Sequence, residues 1–343
     1  MIAVFSSAHT MHAPPHELLN GELVKAHETP DRAEIIHNAL LQANLGPIIP
    51  PRLFDMSAIE AVHDAAYLHF LEHIYTQWVS EGGSPLAVLP DTVTTRHMNR
   101  RPTFPLALPG YYTSDLSAPI VAGTYEAAVT SAHVALTGAA LLIEGKAVAY
   151  ALCRPPGHHA SRDTYGGYSY LNNAAIAANY LCNEPSSSRV AILDIDYHHG
   201  NGTQQIFYER DDVFTISIHA NPSYEYPYFI GFADERGQGI GEGSNLNIPL
   251  AEGITNTPYL TALDQALEAI SYFNPNYLVV ATGVDTFEAD PIGEFMLTSE
   301  IYPLIGQRIA ALRQPTLFVQ EGGYAVDALG NNVVSLLQGF RSS

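Results

Sequence analysis

Residues 189–201 read RVAILDIDYHHGN, an apolar run that gives way without a spacer to aspartates, histidines and a glycine. The stretch from Val190 to Leu193 has no polar alternation, which is the pattern of a strand buried on both faces of a parallel sheet. In parallel α/β sheets ligands bind beyond the carboxyl ends of the strands, so the segment from Asp194 to Asn201 falls where chemistry is carried out. Asp194, Asp196 and His198 are spaced by two, and on an extended backbone all three side chains point to one face. Two carboxylates and an imidazole directed together suit a divalent metal, and a catalytic zinc takes three protein ligands while keeping one position open. If Asp196 and His198 are two ligands, Asp285 is the natural third, and Asp194 acts from behind them.

Outward from this stretch, further apolar runs over 146–152, 213–218, 277–281, 315–319 and 1–5 read as buried strands. Helical patterns lie between them, over 124–144, 172–181, 257–273, 299–312 and 327–337; in 257–273, Leu260, Leu263, Leu267 and Ile270 recur at helical spacing. The alternation predicts an α/β fold with an open, mostly parallel sheet of about eight strands, helices on both faces and a single domain over 1–343. The segment 82–112, rich in Pro and Gly and holding Arg96, Arg100 and Arg101, has no periodicity and reads as a long insertion loop. Three other strand ends are polar: Arg154 to His159, Gly283 to Asp285 and Glu321 to Tyr324. His158 and His159 are adjacent and would diverge in extended backbone, which favours a base and an electrostatic partner over two ligands of one ion.

The chain has 343 residues, 47% hydrophobic and 15% charged, the profile of a protein able to bury a large core. Its formal charge of -20 disfavours nucleic acid as a partner. Such a field either concentrates cationic substrates or serves solubility. Cys153 and Cys182 cannot form a disulfide framework, the start has no basic leader, and no apolar run reaches membrane-spanning length; the expectation is a soluble cytoplasmic protein with no membrane partner.

The blocks RPPGHHA (154–160), YGGYSYLNNAAIAA (165–178), AILDIDYHHGNGTQQIFYER (191–210), TGVDTFEADP (282–291) and QEGGYA (320–325) resemble the arginase-like deacetylase superfamily. Within it the chain is most similar to bacterial acetylpolyamine amidohydrolases. The resemblance implies one catalytic zinc on Asp196, His198 and Asp285, with Tyr324 hydrogen-bonding the substrate carbonyl, His159 as general base and His158 as its electrostatic partner. Asp194 is expected to orient His158, and Asn201 to stand behind His159 where some relatives have Asp. Structural potassium is implied near Asp194, Asp196, His198, Ser217 and Ile218, and at a second site near Phe207, Arg210, Val213 and Ser244. Gly167, Tyr168 and Tyr226 resemble the walls of a substrate tunnel. Glu17, Asp115 and Glu225 are candidates for binding a distal ammonium, and the resemblance favours Glu17. The implied substrate is a small cationic acetylated diamine or polyamine; the alternatives are protein acetyl-lysine and, from another class, a non-catalytic acetyl-ligand module. The 82–112 insertion resembles a homodimerisation loop, with Arg96, Arg100 and Arg101 meeting acidic surface on the second copy.

Overall fold

Ten strands and ten α-helices are seen in the computed structural model, which describes residues 1–184 and 189–342. The strands are β1 (Ile2–Val4), β2 (His16–Leu19), β3 (Glu22–Lys25), β4 (Ile48–Ile49), β5 (Val148–Ala151), β6 (Val190–Asp194), β7 (Val213–Ala220), β8 (Asn245–Leu250), β9 (Tyr277–Thr282) and β10 (Thr316–Gln320). The helices are α1 (Pro30–Ala43), α2 (Ser57–Glu60), α3 (Ala65–Ser80), α4 (Leu108–Tyr112), α5 (Thr124–Ile143), α6 (Asn173–Cys182), α7 (Asn201–Phe207), α8 (Asn256–Phe273), α9 (Ile301–Ala310) and α10 (Val326–Arg341). Eight strands form one sheet in the order β4-β1-β5-β10-β9-β6-β7-β8. Every neighbouring pair in it is parallel, while β2 and β3 make a separate antiparallel hairpin.

Side chains leave a strand on alternate faces, and here each face has its own core. Val190, Ile192, Val279, Ala281, Leu317 and Val319 pack with α3, α5 and α6 on one side. Ala191, Leu193, Leu278, Val280 and Phe318 pack with α1, α8, α9 and α10 on the other. Burial on both faces is why these strands read as unbroken apolar runs.

The predicted strand over 146–152 is shortened to Val148–Ala151, and β4, β8 and the hairpin were not foreseen. In β8, Asn245 and Asn247 occupy buried positions because both side chains donate to the Gln204 Oε1, so that strand carries no apolar run. Helix α5 is, by length and composition, apolar enough to cross a membrane, contrary to the expectation from the sequence. It is a core helix, with 78% of its most apolar window buried inside the protein.

The 82–112 segment is more ordered than a loop. Val88 and Ile120 form an antiparallel bridge, and Leu108 and Tyr112 of α4 are buried. Arg96, Arg100 and Arg101 are exposed on it; Arg101 donates to the Tyr112 hydroxyl at 2.7 Å.

Candidate active site

Asp194 closes β6, and the chain then bends through Asp196 and His198 to the start of α7. Asp285 lies three residues beyond the adjacent strand β9. One ligand atom from each of Asp196, His198 and Asp285 falls within 4.8 Å of the other two. Backbone amides fix the carboxylates: Asp196 accepts from His198 N at 2.9 Å and Gly322 N at 2.8 Å, and Asp285 from Tyr197 N at 2.9 Å. A Cβ at Gly322 would stand 2.3 Å from an Asp285 oxygen and 2.6 Å from an Asp196 oxygen, so glycine alone lets the loop after β10 lie against both acids.

This donor set fits a divalent ion. Burial and the charge of Asp196 push the Asp285 carboxyl up to about 7 despite the neighbouring His198. A cation between the two acids would offset both effects. Two carboxylate oxygens and one imidazole nitrogen are zinc-type donors, too few in oxygen for calcium.

His158 and His159 lie in a turn instead of extended backbone, and their rings do not diverge: the centroids are 4.0 Å apart. His158 Nδ1 is 2.9 Å from Asp194 Oδ2, and His159 Nδ1 is 2.6 Å from Asn201 Oδ1. Burial opposes charge on His158, yet the Asp196 and Asp194 carboxylates raise it to about 10. Burial and then the charges of His158 and His198 hold His159 well below the ordinary histidine range. A neutral imidazole can accept a proton.

Tyr324 is carried on the loop after β10, and Arg32 from α1 anchors that loop. Its Nε donates to Gly323 O and its Nη2 to Glu321 O, each at 2.7 Å, and its guanidinium carbon sits 4.4 Å from the Tyr324 ring centroid. Buried Glu28 accepts from both Arg32 and Arg154 at 2.8 Å. Asp290 accepts from the backbone N–H of Tyr324 and of Ala325, and Glu321 from those of Gly157 and His158. Sequence reasoning missed this framework of Glu28, Arg32, Asp290 and Glu321. The Glu28 and Arg32 spacing of four at a helix start was its one signal.

A cavity of about 440 Å³ reaches His158, His159, His198 and Tyr324 at its base. Tyr168 and Tyr226 line it, as does Gly167, whose φ of +49° carries the turn past the His159 ring. A Cβ at Gly167 would stand 2.3 Å from that ring. The Tyr226 hydroxyl donates to Asp115 at 2.6 Å and the Tyr168 hydroxyl to Glu17 at 2.9 Å.

Glu17, expected to bind a distal ammonium, accepts the Tyr168 hydroxyl. It is buried, is not part of the cavity wall, and is bonded by His27 at 2.7 Å as well as by Tyr168, so it braces the wall from behind. Asp115 does line the cavity, but Gly167, Ser117 and Tyr226 occupy its oxygens. Glu225 lines it too, accepting from the Tyr197 hydroxyl and the Tyr226 amide. Glu294, which no motif marks, is an exposed carboxylate in the same wall; burial and the nearby Glu252 and Glu225 raise its affinity for a proton.

Of the residues expected around potassium, some are neighbours in the sheet. Asp194 and Ser217 are register partners on β6 and β7, with Ile218 next on the strand, and both border a small cavity of about 10 Å³. Around the start of β7 at Val213, Phe207 O accepts from Arg210 N and Ser244 O from Thr215 N.

A parallel sheet whose strand ends bring an Asp–His–Asp set, a histidine pair and a tyrosine to one cavity defines an α/β protein of the deacetylase class. Residues 26–340 match the histone deacetylase domain, and the chain belongs to that family. It is an enzyme that hydrolyses amides. It is 48% identical to acetylpolyamine amidohydrolase 1 of Pseudomonas aeruginosa, across 100% of this chain and 99% of that one. Identity to the acetylpolyamine amidohydrolase of Mycoplana ramosa is 42%, over 99% of each. The crystal structure of acetylpolyamine aminohydrolase from Burkholderia pseudomallei superposes with a TM-score of 0.94 at 39% identity, covering 99% of this chain and 98% of that one.

Proposed function

We propose that this chain hydrolyses the acetyl amide of acetylated diamines and polyamines to acetate and free amine, with zinc on Asp196, His198 and Asp285. The observation that carries this reading is the cavity itself, with the histidine pair and Tyr324 at its base and Glu225 and Glu294 in its wall. An apolar aryl slot between Tyr168 and Tyr226 suits a linear alkyl chain, and the carboxylates suit an ammonium at its far end. Resemblance to three named acetylpolyamine enzymes supports the substrate class.

When bound, the zinc supplies Lewis acidity toward the acetyl carbonyl and the attacking water. His159, held neutral, accepts the proton of that water at Nε2, while its Nδ1–H donates to Asn201. The Tyr324 hydroxyl donates to the carbonyl oxygen as negative charge gathers there. His158, held by Asp194 at 2.9 Å, stands beside that charge, and the imidazolium of the pair protonates the departing amine. Potassium near Asp194 and Ser217 and near Phe207, Val213 and Ser244, a homodimer built through 82–112, and a reducing cytoplasmic setting for free Cys153 and Cys182 complete the proposal.

Turnover of N-acetylputrescine, N-acetylcadaverine and an acetyl-lysine peptide tests the substrate. The small amides should give the higher kcat/KM, and a clear advantage for the peptide would replace this reading with a protein deacetylase. Tyr324→Phe should retain zinc and lose about 10²- to 10³-fold in kcat, the usual loss for one oxyanion donor. Full activity in that variant would remove Tyr324 from the chemistry.

A further inference from the structure

A second group of metal-type ligands lies away from the cavity, on α3. His69, Glu72 and His73 form an H-x-x-E-H pattern, and one ligand atom from each lies within 4.8 Å of the others. Helix periodicity explains the grouping: positions i, i+3 and i+4 share a face. The buried stripe of α3 holds Tyr67, Leu68, Phe70, Leu71, Ile74 and Trp78, which leaves these three toward solvent. The imidazole centroids are 4.3 Å apart, and His73 Nδ1 lies 3.1 Å from the His69 carbonyl oxygen. With that N–H donated to the backbone, His73 presents Nε2 as its lone-pair nitrogen, the orientation that a hydrogen bond at the other ring nitrogen gives to metal-binding histidines.

The local field also favours a cation. Burial and then Glu72, Glu126 and Glu60 raise the proton affinity of Tyr125, so Glu72 shares its neighbourhood with two more carboxylates facing that ring. No lysine or arginine is paired with Glu72 among the described residues; its one ion-pair partner there is His73 at 3.5 Å.

We propose that His69, Glu72 and His73 form a second metal site, for a divalent transition-metal cation of the zinc, nickel or copper class. Nitrogen donors from two imidazoles with one carboxylate oxygen match those ions and not calcium or magnesium. Three protein ligands leave coordination positions to water. The site clips one turn of α3, and α3 is the support of the 82–112 insertion. Its Trp78 and Tyr75 side chains donate to Ser84 O and Pro85 O, and the Phe70 ring packs against that of Tyr112 at the other end, centroids 4.5 Å apart and tilted by 31°. Metal bound there stabilises the helix and the base of the insertion by mass action, since the unfolded chain does not hold the three ligands together.

Zinc content after equilibrium dialysis of tag-free, full-length protein against zinc alone tests the site. The expected result is one more zinc per chain in the wild type than in His69→Gln/His73→Gln, with deacetylase activity of the double variant unchanged. The difference between the two proteins reads this site alone: were the buried Asp–His–Asp set to take no zinc, both contents would fall by one and the difference would remain. Added zinc should also raise the thermal midpoint of the wild type by more than that of the double variant, and Glu72→Gln should weaken the extra binding several-fold. Equal zinc content in wild type and double variant overturns the proposal.

Discussion

At the residue scale, Asn201 sets the working range of the base. It accepts the His159 Nδ1–H at 2.6 Å where a carboxylate would stabilise the imidazolium more strongly. The base functions when neutral, so the acid limb of the rate profile lies at its pKa. Asn201→Asp raises that pKa and moves the acid limb to higher pH; a limb that stays in place in the kcat/KM profile would show that His159 is not the titrating group. Glu294 is the corresponding residue for recognition. An exposed charge pair is worth about 0.2–1 kcal/mol, so Glu294→Gln should raise KM about two- to five-fold at most for an acetylated diamine. An acetylated monoamine without the distal ammonium should keep its KM. Glu17, favoured by the sequence, could be judged only once burial and its bonds to His27 and Tyr168 were visible. An acid's type and position in the chain carry no information on whether its oxygens are already used.

At the scale of elements, the buried strands were legible because burial on both faces removes polar alternation. Strand β8 was not, since Asn245 and Asn247 are satisfied by Gln204 from a distant helix, and a two-residue strand such as β4 carries no period at all. The link between α1 and the loop after β10 was also invisible, with Arg32 and Gly323 separated by 291 residues. Removing that link leaves Glu28 buried with one cationic partner fewer. Arg32→Met should therefore destabilise the chain by roughly 3–5 kcal/mol in denaturant unfolding, the usual result of breaking a buried ion pair. Arg32→Lys should not restore it, because the guanidinium fork makes three separate bonds and an ammonium lacks that planar geometry. A loss below about 1 kcal/mol would mean that the bonds of the loop to Asp290, Asp196 and the Gly157–His158 amides hold it without Arg32.

At the scale of the whole molecule, a net charge of -20 should act on encounter more than on chemistry. The Debye length shrinks from about 10 Å at 0.1 M salt to about 3 Å at 1 M, so kcat/KM for a cationic acetylated amine should fall several-fold over that range while kcat holds. A neutral N-acetylalkylamine is the control, and equal salt sensitivity for both substrates would assign the acidity to solubility. The sequence by itself determined the parallel α/β architecture and the segments that carry Asp196, His198, Asp285, the histidine pair and Tyr324, because strand burial and residue type are local properties of the chain. The tertiary structure decided what those groups do to one another. It folded His158 and His159 into a turn with their rings together and moved their proton affinities in opposite directions, and it placed Glu17 behind the wall and Glu294 in it. Charge state and access depend on distances between segments far apart in the chain, and stretch 189–201 gains its metal set only when Asp285 arrives from the loop after the adjacent strand.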